Sequence, residues 1–199
     1  MDIDKAFNLL VDLKKMLGPV KWGLDYGSLL GAVREGNIIR WDFDTDAFIL
    51  EEELLKPLKL NDRCKPYGLR VWCGFVKFKG FSIKCLTFSR GGVSCHMQGL
   101  KKLGSFRYKP VVRFIKEKPE EGIKKTFDKF WVKLPLRYFE QLRTAKIRDV
   151  EFNIPDHAEE YLTAMYGDWK TPHKHGQTPT DWLCRPKYYR PDYRPEKQD

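Results

Sequence analysis

The sequence of 199 residues has no long apolar run. No stretch approaches the roughly 18 to 20 consecutive apolar residues that cross a bilayer as a helix. Its N-terminus, MDIDKAFNLL, also lacks the basic-then-apolar order of a secretory signal. These two absences predict a cytoplasmic protein without a transmembrane segment, and peripheral contact with a membrane is the alternative.

Cysteine is scarce and occurs in no C-x-x-C pair. Five cysteines are an odd number, which argues against a disulfide framework and gives only a weak signal for zinc. Reduced thiols are therefore expected, and a zinc site assembled from four of them with His96 is the weaker alternative. The cysteines are Cys64, Cys73, Cys85, Cys95 and Cys184.

Acidic residues are outnumbered, with 27 Asp and Glu against 37 Lys and Arg, and the net charge is +10. Residues 101–149 hold 15 basic and 6 acidic residues. Such a surface attracts phosphates of nucleotides, nucleic acids or membranes, although a solvated lysine-rich face is the alternative. With 42% hydrophobic residues the chain can bury a core. We predict a single domain over residues 1–185 and an extended or disordered basic tail over 186–199.

The order of helical and strand patterns predicts an α/β (α+β) fold with a sheet of mixed direction. Residues 89–119 are interrupted by glycine, lysine and proline, so a functional loop or mobile surface is expected there. Helices are predicted at 4–17, 28–34, 51–55 and from 158 to Gly167, and strands at 20–24, 43–50, 69–78, 81–88 and 143–154.

The strongest chemical signal is the acidic segment Trp41-Asp42-Phe43-Asp44-Thr45-Asp46. In a strand, its three carboxylates would lie on one face, about 6 to 7 Å apart. Such a row repels itself, and a divalent ion that prefers oxygen ligands removes the repulsion. Upstream, Gly27-Ser28 opens a helix whose N-terminus can receive a phosphate. The pattern predicts a metal and a phosphate at one site, with solvated turn aspartates as the alternative.

Two blocks resemble the LicD family, which includes bacterial phosphocholine transferases, fukutin and fukutin-related proteins. The first is GSLLGAVREGNIIRWDFDTDAFI, and the second is VEFNIPDHAEEYLTAMYGDWKTP. They occur in the family's order and cover roughly a quarter of the chain. The resemblance implies a nucleotidyltransferase-like fold, in which a mixed sheet is flanked by helices.

The resemblance also implies a reaction: transfer of a phospho-alcohol, such as phosphocholine or a polyol phosphate, from a CDP-linked donor to a glycan hydroxyl, with Mg²⁺ or Mn²⁺. Lys84 departs from the family, because many members have an aspartate at its position. The implied catalytic residues are Asp42, Asp44 and Asp46, the metal ligands Asp44 and Asp46, and the nucleotide-binding residues Gly27, Ser28 and Arg34. Lys84 is expected to contact a phosphate of the nucleotide in place of the family's aspartate.

Several partners and two other functions remain open. An anionic glycan or a lipid-linked sugar is the expected acceptor, and nucleic acid is a weaker candidate. A nucleotidyltransferase that moves NMP from an NTP would use a similar motif, and a non-catalytic nucleic-acid-binding domain is the third hypothesis. His96, His157, His173 and His175 are expected at the surface, and Trp22, Trp41 and Trp72 in the core.

Overall fold

The computed structural model describes residues 1–56, 58–78, 81–117 and 124–172. Within these ranges, only the backbone is described at residues 77, 78, 81, 110–117 and 124–131. The predicted tail over 186–199 therefore lies outside the described residues, as do Cys184, His173 and His175. In the described chain, no helix is long and apolar enough to span a membrane.

Six α-helices and nine strands form within the described ranges. The helices are α1 (Ile3–Leu17), α2 (Tyr26–Arg34), α3 (Glu51–Leu54), α4 (Leu60–Cys64), α5 (Arg137–Glu140) and α6 (Ala158–Tyr166). The strands are β1 (Trp22–Leu24), β2 (Thr45–Leu50), β3 (Arg70–Phe78), β4 (Phe81–Arg90), β5 (Val93–Leu103), β6 (Phe106–Glu117), β7 (Lys124–Pro135), β8 (Leu142–Ile147) and β9 (Val150–Pro155).

Seven of the strands form one mixed sheet, and β8 and β9 form a separate antiparallel pair. The main path is β1-β2-β5-β4-β3, and β6 and β7 continue from β5. The pair β2–β5 is parallel, whereas the other pairs are antiparallel. A mixed sheet flanked by helices confirms the predicted fold class.

Helix α1 supplies much of the core under this sheet. The Asp2 side chain accepts the Lys5 N–H at its start, and Gly18 ends it with a φ of 57°, a conformation that suits glycine. Leu9, Leu10 and Leu13 are fully buried. The predicted helix is confirmed because its period of apolar residues is strong and both ends carry local stop signals.

The prediction of a loop at 89–119 is wrong, because this segment contains all of β5 and β6. Three of its four glycines lie in the turns between strands: Gly91, Gly92 and Gly104 have positive φ, at 57°, 83° and 56°, whereas Gly99 lies within β5. Along β5, buried residues alternate with more exposed ones, which is the pattern of a strand with one face in the core. Glycine here marks hairpin turns rather than one long loop.

The first basic residues of segment 101–149 do not form the free basic surface that was expected. Arg107 is 3% exposed and Lys109 is fully buried. Three acidic residues, one between β1 and α2 and two in α3, neutralise this part of the segment, while Lys102 remains exposed. The pairs are Lys101 with Glu51 at 3.2 Å, Arg107 with Glu52 at 2.9 Å and Lys109 with Asp25 at 2.8 Å.

Candidate active site

The glycine–serine turn and the acidic segment meet at the N-terminus of α2. The Ser28 hydroxyl accepts a hydrogen bond from the Asp46 N–H at 2.9 Å. The Asp42 carboxylate lies against Gly27, where any Cβ would overlap it. The two motifs therefore pack directly on each other, and a glycine at position 27 is required for this approach.

The acidic segment is not a continuous strand, as the sequence suggested. β2 begins at Thr45, so only Asp46 is a strand residue. Asp42 forms a turn instead: its carboxylate accepts the Phe43 N–H at 3.0 Å, and its own N–H donates to the Ile39 carbonyl at 3.1 Å. Aspartate favours such turns because its side chain bonds to the nearby backbone.

Negative charge accumulates at Asp46. Burial raises the pKa of Asp46 well above its usual range, and repulsion from Asp44, Asp25 and Asp42 adds to the effect. Burial also raises the pKa of Asp42, again with a contribution from Asp44. Carboxylate oxygens are the donors that Mg²⁺ and Mn²⁺ prefer, so Asp44 and Asp46 fit a divalent cation chemically.

No three His, Cys, Asp or Glu side chains are already arranged around a metal position in the part of the chain that the structure describes. The carboxylates would have to close around an ion. This finding also gives the zinc alternative no support. The described cysteines, Cys64, Cys73, Cys85 and Cys95, are free thiols.

His96 lies beside the acidic segment, on the strand next to β2. It pairs with Asp46 in the parallel register, and its Nε2 is 3.5 Å from Asp44 Oδ2. The Thr87 hydroxyl is 3.1 Å from its Nδ1. His96 is exposed, as expected, with 46% of its side chain accessible, and it also contacts the acidic segment.

A buried ion pair between Lys109 and Asp25 lies next to the acidic segment, and the sequence analysis did not predict it. Lys109 Nζ lies 2.9 and 2.8 Å from the two Asp25 oxygens and 2.7 Å from the Tyr161 hydroxyl, which donates to Asp25 at 2.6 Å. Lys109 and Asp25 have no exposed surface, and Tyr161 has 1%. Burial lowers the pKa of Lys109, and Asp25 opposes that shift.

The buried ion pair also orients the start of α2. The Asp25 carboxylate caps this helix by accepting the Tyr26 N–H at 2.9 Å. Lys109 Nζ lies 3.6 Å from the centre of the Tyr26 ring, a cation–π contact. An aspartate between a short apolar strand and a helix start is a signal for a cap, but no local pattern identifies a partner 84 residues away.

Arg34 lies at the far end of α2, about 10 Å along the helix axis from Gly27. Its guanidinium donates to Glu35 at 2.6 Å and to the Trp169 carbonyl at 3.2 Å. These bonds join α2 to the segment that follows α6. In this structure the guanidinium therefore contacts the segment that follows α6.

The structure corrects the predicted orientation of Lys84. The register of β4 is regular, so Lys84 shares a face with Leu86 and Phe88, which are buried in the core on the opposite side of the sheet from His96. Strand side chains alternate between faces, and a change of one residue reverses the outcome. Lys84 does not join the aspartates.

Two of the three tryptophans that were expected in the core are exposed. Trp22 is buried, with 4% of its surface exposed, whereas Trp41 and Trp72 are 53% and 65% exposed. The prediction is wrong for these two. Aromatic residues enrich both cores and binding surfaces, so residue type alone did not separate the cases.

A mixed sheet in which a glycine–serine helix start contacts an acidic strand end defines a nucleotidyltransferase-like domain. Residues 20–157 match the family model described as LicD/FKTN/FKRP, nucleotidyltransferase domain. The chain belongs to this family, whose members are generally transferases. No curated protein matches the chain.

The buried ion pair predicts a specific pattern of stability. Lys109→Met should lower the free energy of unfolding by about 3–5 kcal/mol, because it leaves the Asp25 charge buried without a partner. Asp25→Asn combined with Lys109→Met should recover part of that loss. Urea denaturation would compare the wild type, Lys109→Met, Asp25→Asn and the double variant. Lys102→Met, at an exposed position of the same segment, should change stability by less than about 0.5 kcal/mol. A double variant as unstable as the sum of the two single variants would contradict this account.

The raised pKa of Asp46 predicts a pH dependence in the presence of a chelator. Because folding favours the protonated carboxyl, the contribution of Asp46 to stability should fall as the pH rises from the ordinary Asp pKa of about 3.9 through the higher folded-state pKa. Asp46→Asn should remove this fall and raise Tm by a few degrees at pH 7. Differential scanning calorimetry measures the effect, with the exposed Asp62→Asn as control. Melting of Asp46→Asn below the wild type at pH 7 would rule out this assignment.

Proposed function

We propose that the protein is a metal-dependent phosphotransferase that moves a phospho-alcohol, of the phosphocholine or polyol-phosphate type, from a CDP-linked donor to a glycan hydroxyl. The observation that supports this most directly is the packing of Gly27 and Ser28 on Asp42 and Asp46. A helix N-terminus favours phosphate, and adjacent carboxylates favour a cation. Membership of a family of transferases supports the same conclusion.

In this reaction the glycan oxygen forms a bond to the phosphorus that carries the alcohol. The bond from that phosphorus to the bridging oxygen breaks, CMP leaves with the electron pair, and the hydroxyl proton passes to the CMP phosphate or to water. Asp44 and Asp46 would hold the metal, which when bound neutralises charge on the phosphates. The N–H groups of Gly27 and Ser28 would orient the donor, and Asp42 would move from its place against Gly27 to admit it.

Tyrosines form the inner wall of the site: Tyr161 and Tyr166 are buried, and Tyr26 is partly buried. Tyr26, Tyr161 and Tyr166 each have a pKa raised well above the usual range by burial, with added repulsion from the aspartates. Their hydroxyls therefore stay protonated at neutral pH. Charge interactions beside buried side chains are stronger than in water. This environment favours stabilisation of a charged phosphate that is held in place.

The nucleotide product tests the proposed reaction. The protein would be incubated with Mg²⁺, a glycan mixture and a panel of CDP-alcohols and NTPs, and products identified by mass spectrometry. Release of CMP with a phosphorylated glycan is expected. Release of pyrophosphate from an NTP would instead establish the nucleotidyltransferase alternative. Asp44→Asn and Asp46→Asn should each lower kcat by about 100-fold or more, whereas Asp62→Asn should retain wild-type turnover.

Metal binding is testable without turnover. Mg²⁺ or Mn²⁺ should raise the Tm of the wild type, because an ion that binds only the folded state stabilises it by mass action. The double variant Asp44→Asn, Asp46→Asn should lose this rise, and Asp62→Asn should keep it. An unchanged response of the double variant would place the metal elsewhere.

A further inference from the structure

One row of side chains runs from the acidic segment to the edge of the main sheet. The strand register pairs Asp46 with His96, His96 with Thr87, and Thr87 with Trp72. Paired residues point to the same face of a sheet, and the contacts of His96 with Asp44 and Thr87 agree with this. Trp72 therefore stands on the same face as the candidate active site.

Trp72 is exposed in an unusual way for so large an apolar side chain. It is 65% exposed on the edge strand β3. The outer edge of its indole lies above Gly74, in the space that a Cβ there would occupy. Glycine at this position lets the ring lie along the sheet surface, so that the indole is held in place by the backbone and remains accessible to solvent.

We propose that Trp72 is a platform on which a sugar ring of an extended glycan acceptor stacks, a role that rests on the proposed transfer to a glycan hydroxyl. One face of a pyranose ring presents C–H groups with partial positive charge, and the face of an aromatic ring is electron-rich. The row Asp46–His96–Thr87–Trp72 connects this platform with the reacting end of the acceptor without a break.

The distance selects the acceptor rather than the donor. Three interstrand spacings of about 4.8 Å separate Trp72 from Asp46, or about 14 Å in total. In a donor whose phosphates lie at Asp44 and Asp46, only a ribose separates the base from the phosphate, so the base does not reach Trp72. A glycan whose terminal hydroxyl lies at Asp46 extends over His96 and Thr87, and a later sugar reaches the indole. The acceptor is therefore an oligosaccharide or a longer chain.

Phe75 provides a matched control on the same strand. It is 62% exposed, close to the value for Trp72, but it lies three positions further along the strand. This odd spacing places Phe75 on the opposite face, where it pairs with Lys84. A general effect of removing an exposed aromatic ring from β3 would appear in both variants. An effect of the platform would appear only at Trp72.

The first test measures binding without the donor. A series of linear oligosaccharides from monosaccharide to hexasaccharide, in neutral and phosphorylated forms, would be titrated against the full chain and followed by saturation-transfer NMR. The wild type should bind long members of the series more tightly than short ones. Trp72→Ala should weaken binding of the long members about three- to tenfold, Trp72→Phe less, and Phe75→Ala not at all.

The second test uses turnover. With a long acceptor, Trp72→Ala should raise the acceptor KM by a similar factor while kcat and the donor KM stay at wild-type values. With a short acceptor, Trp72→Ala should leave the acceptor KM and kcat at wild-type values. If no CDP-alcohol yields CMP, the proposed function fails, but the binding series still tests the platform.

Several results would overturn the platform. In the binding series, they are the absence of glycan binding by the wild type, equal affinity for short and long glycans, and a loss of affinity in Phe75→Ala equal to that in Trp72→Ala. In the turnover test, it is a donor KM of Trp72→Ala that rises as much as its acceptor KM. A shift from dimer to monomer on Trp72→Ala, measured by sedimentation, would instead assign the ring to contact between two copies of the chain through the edge of β3.

Discussion

The buried ammonium of Lys109 constrains the rest of the molecule. A charge without exposed surface is tolerated only when it is paired and hydrogen-bonded, so β6, the start of α2 and α6 must close in the arrangement that brings Asp25 and Tyr161 to it. That arrangement fixes the first turn of α2. Ser28 in that turn then holds the start of β2 through the Asp46 N–H. The position of the acidic segment thus follows from an ion pair that lies behind it.

The same region carries more negative charge than the protein neutralises. Lys109 favours ionisation of Asp46, but burial and the three other aspartates oppose it, and the net shift of its pKa is upward. A structural role alone would not require such a cluster at the entry of a buried strand. Sites that store unfavourable charge in the free protein are typical of function, because the ligand that relieves the charge is then bound more strongly.

Local patterns predicted what depends on neighbours in sequence. Helix α1 has a complete apolar period and a glycine stop, and the β3–β4 hairpin has two apolar arms, so both were predicted. The contact between the Gly27-Ser28 turn and the acidic segment was also anticipated. Strand β5 was missed because its flanking glycines were taken for a loop, and Lys84 was assigned to the wrong face because orientation depends on register. The pairing of Lys109 with Asp25 spans 84 residues and leaves no local trace.

The hydrogen bonds of Tyr161 and Trp169 bear on where the boundaries of this domain lie. The family match ends at residue 157, and helix α1 precedes its start at residue 20. Yet Tyr161 completes the shell around Lys109, Trp169 receives the Arg34 bond, and α1 supplies core leucines. The matched range is therefore smaller than the unit that folds. A fragment cut at the boundaries of the match would keep the acidic segment but leave a lysine charge without its tyrosine and a sheet without its supporting helix.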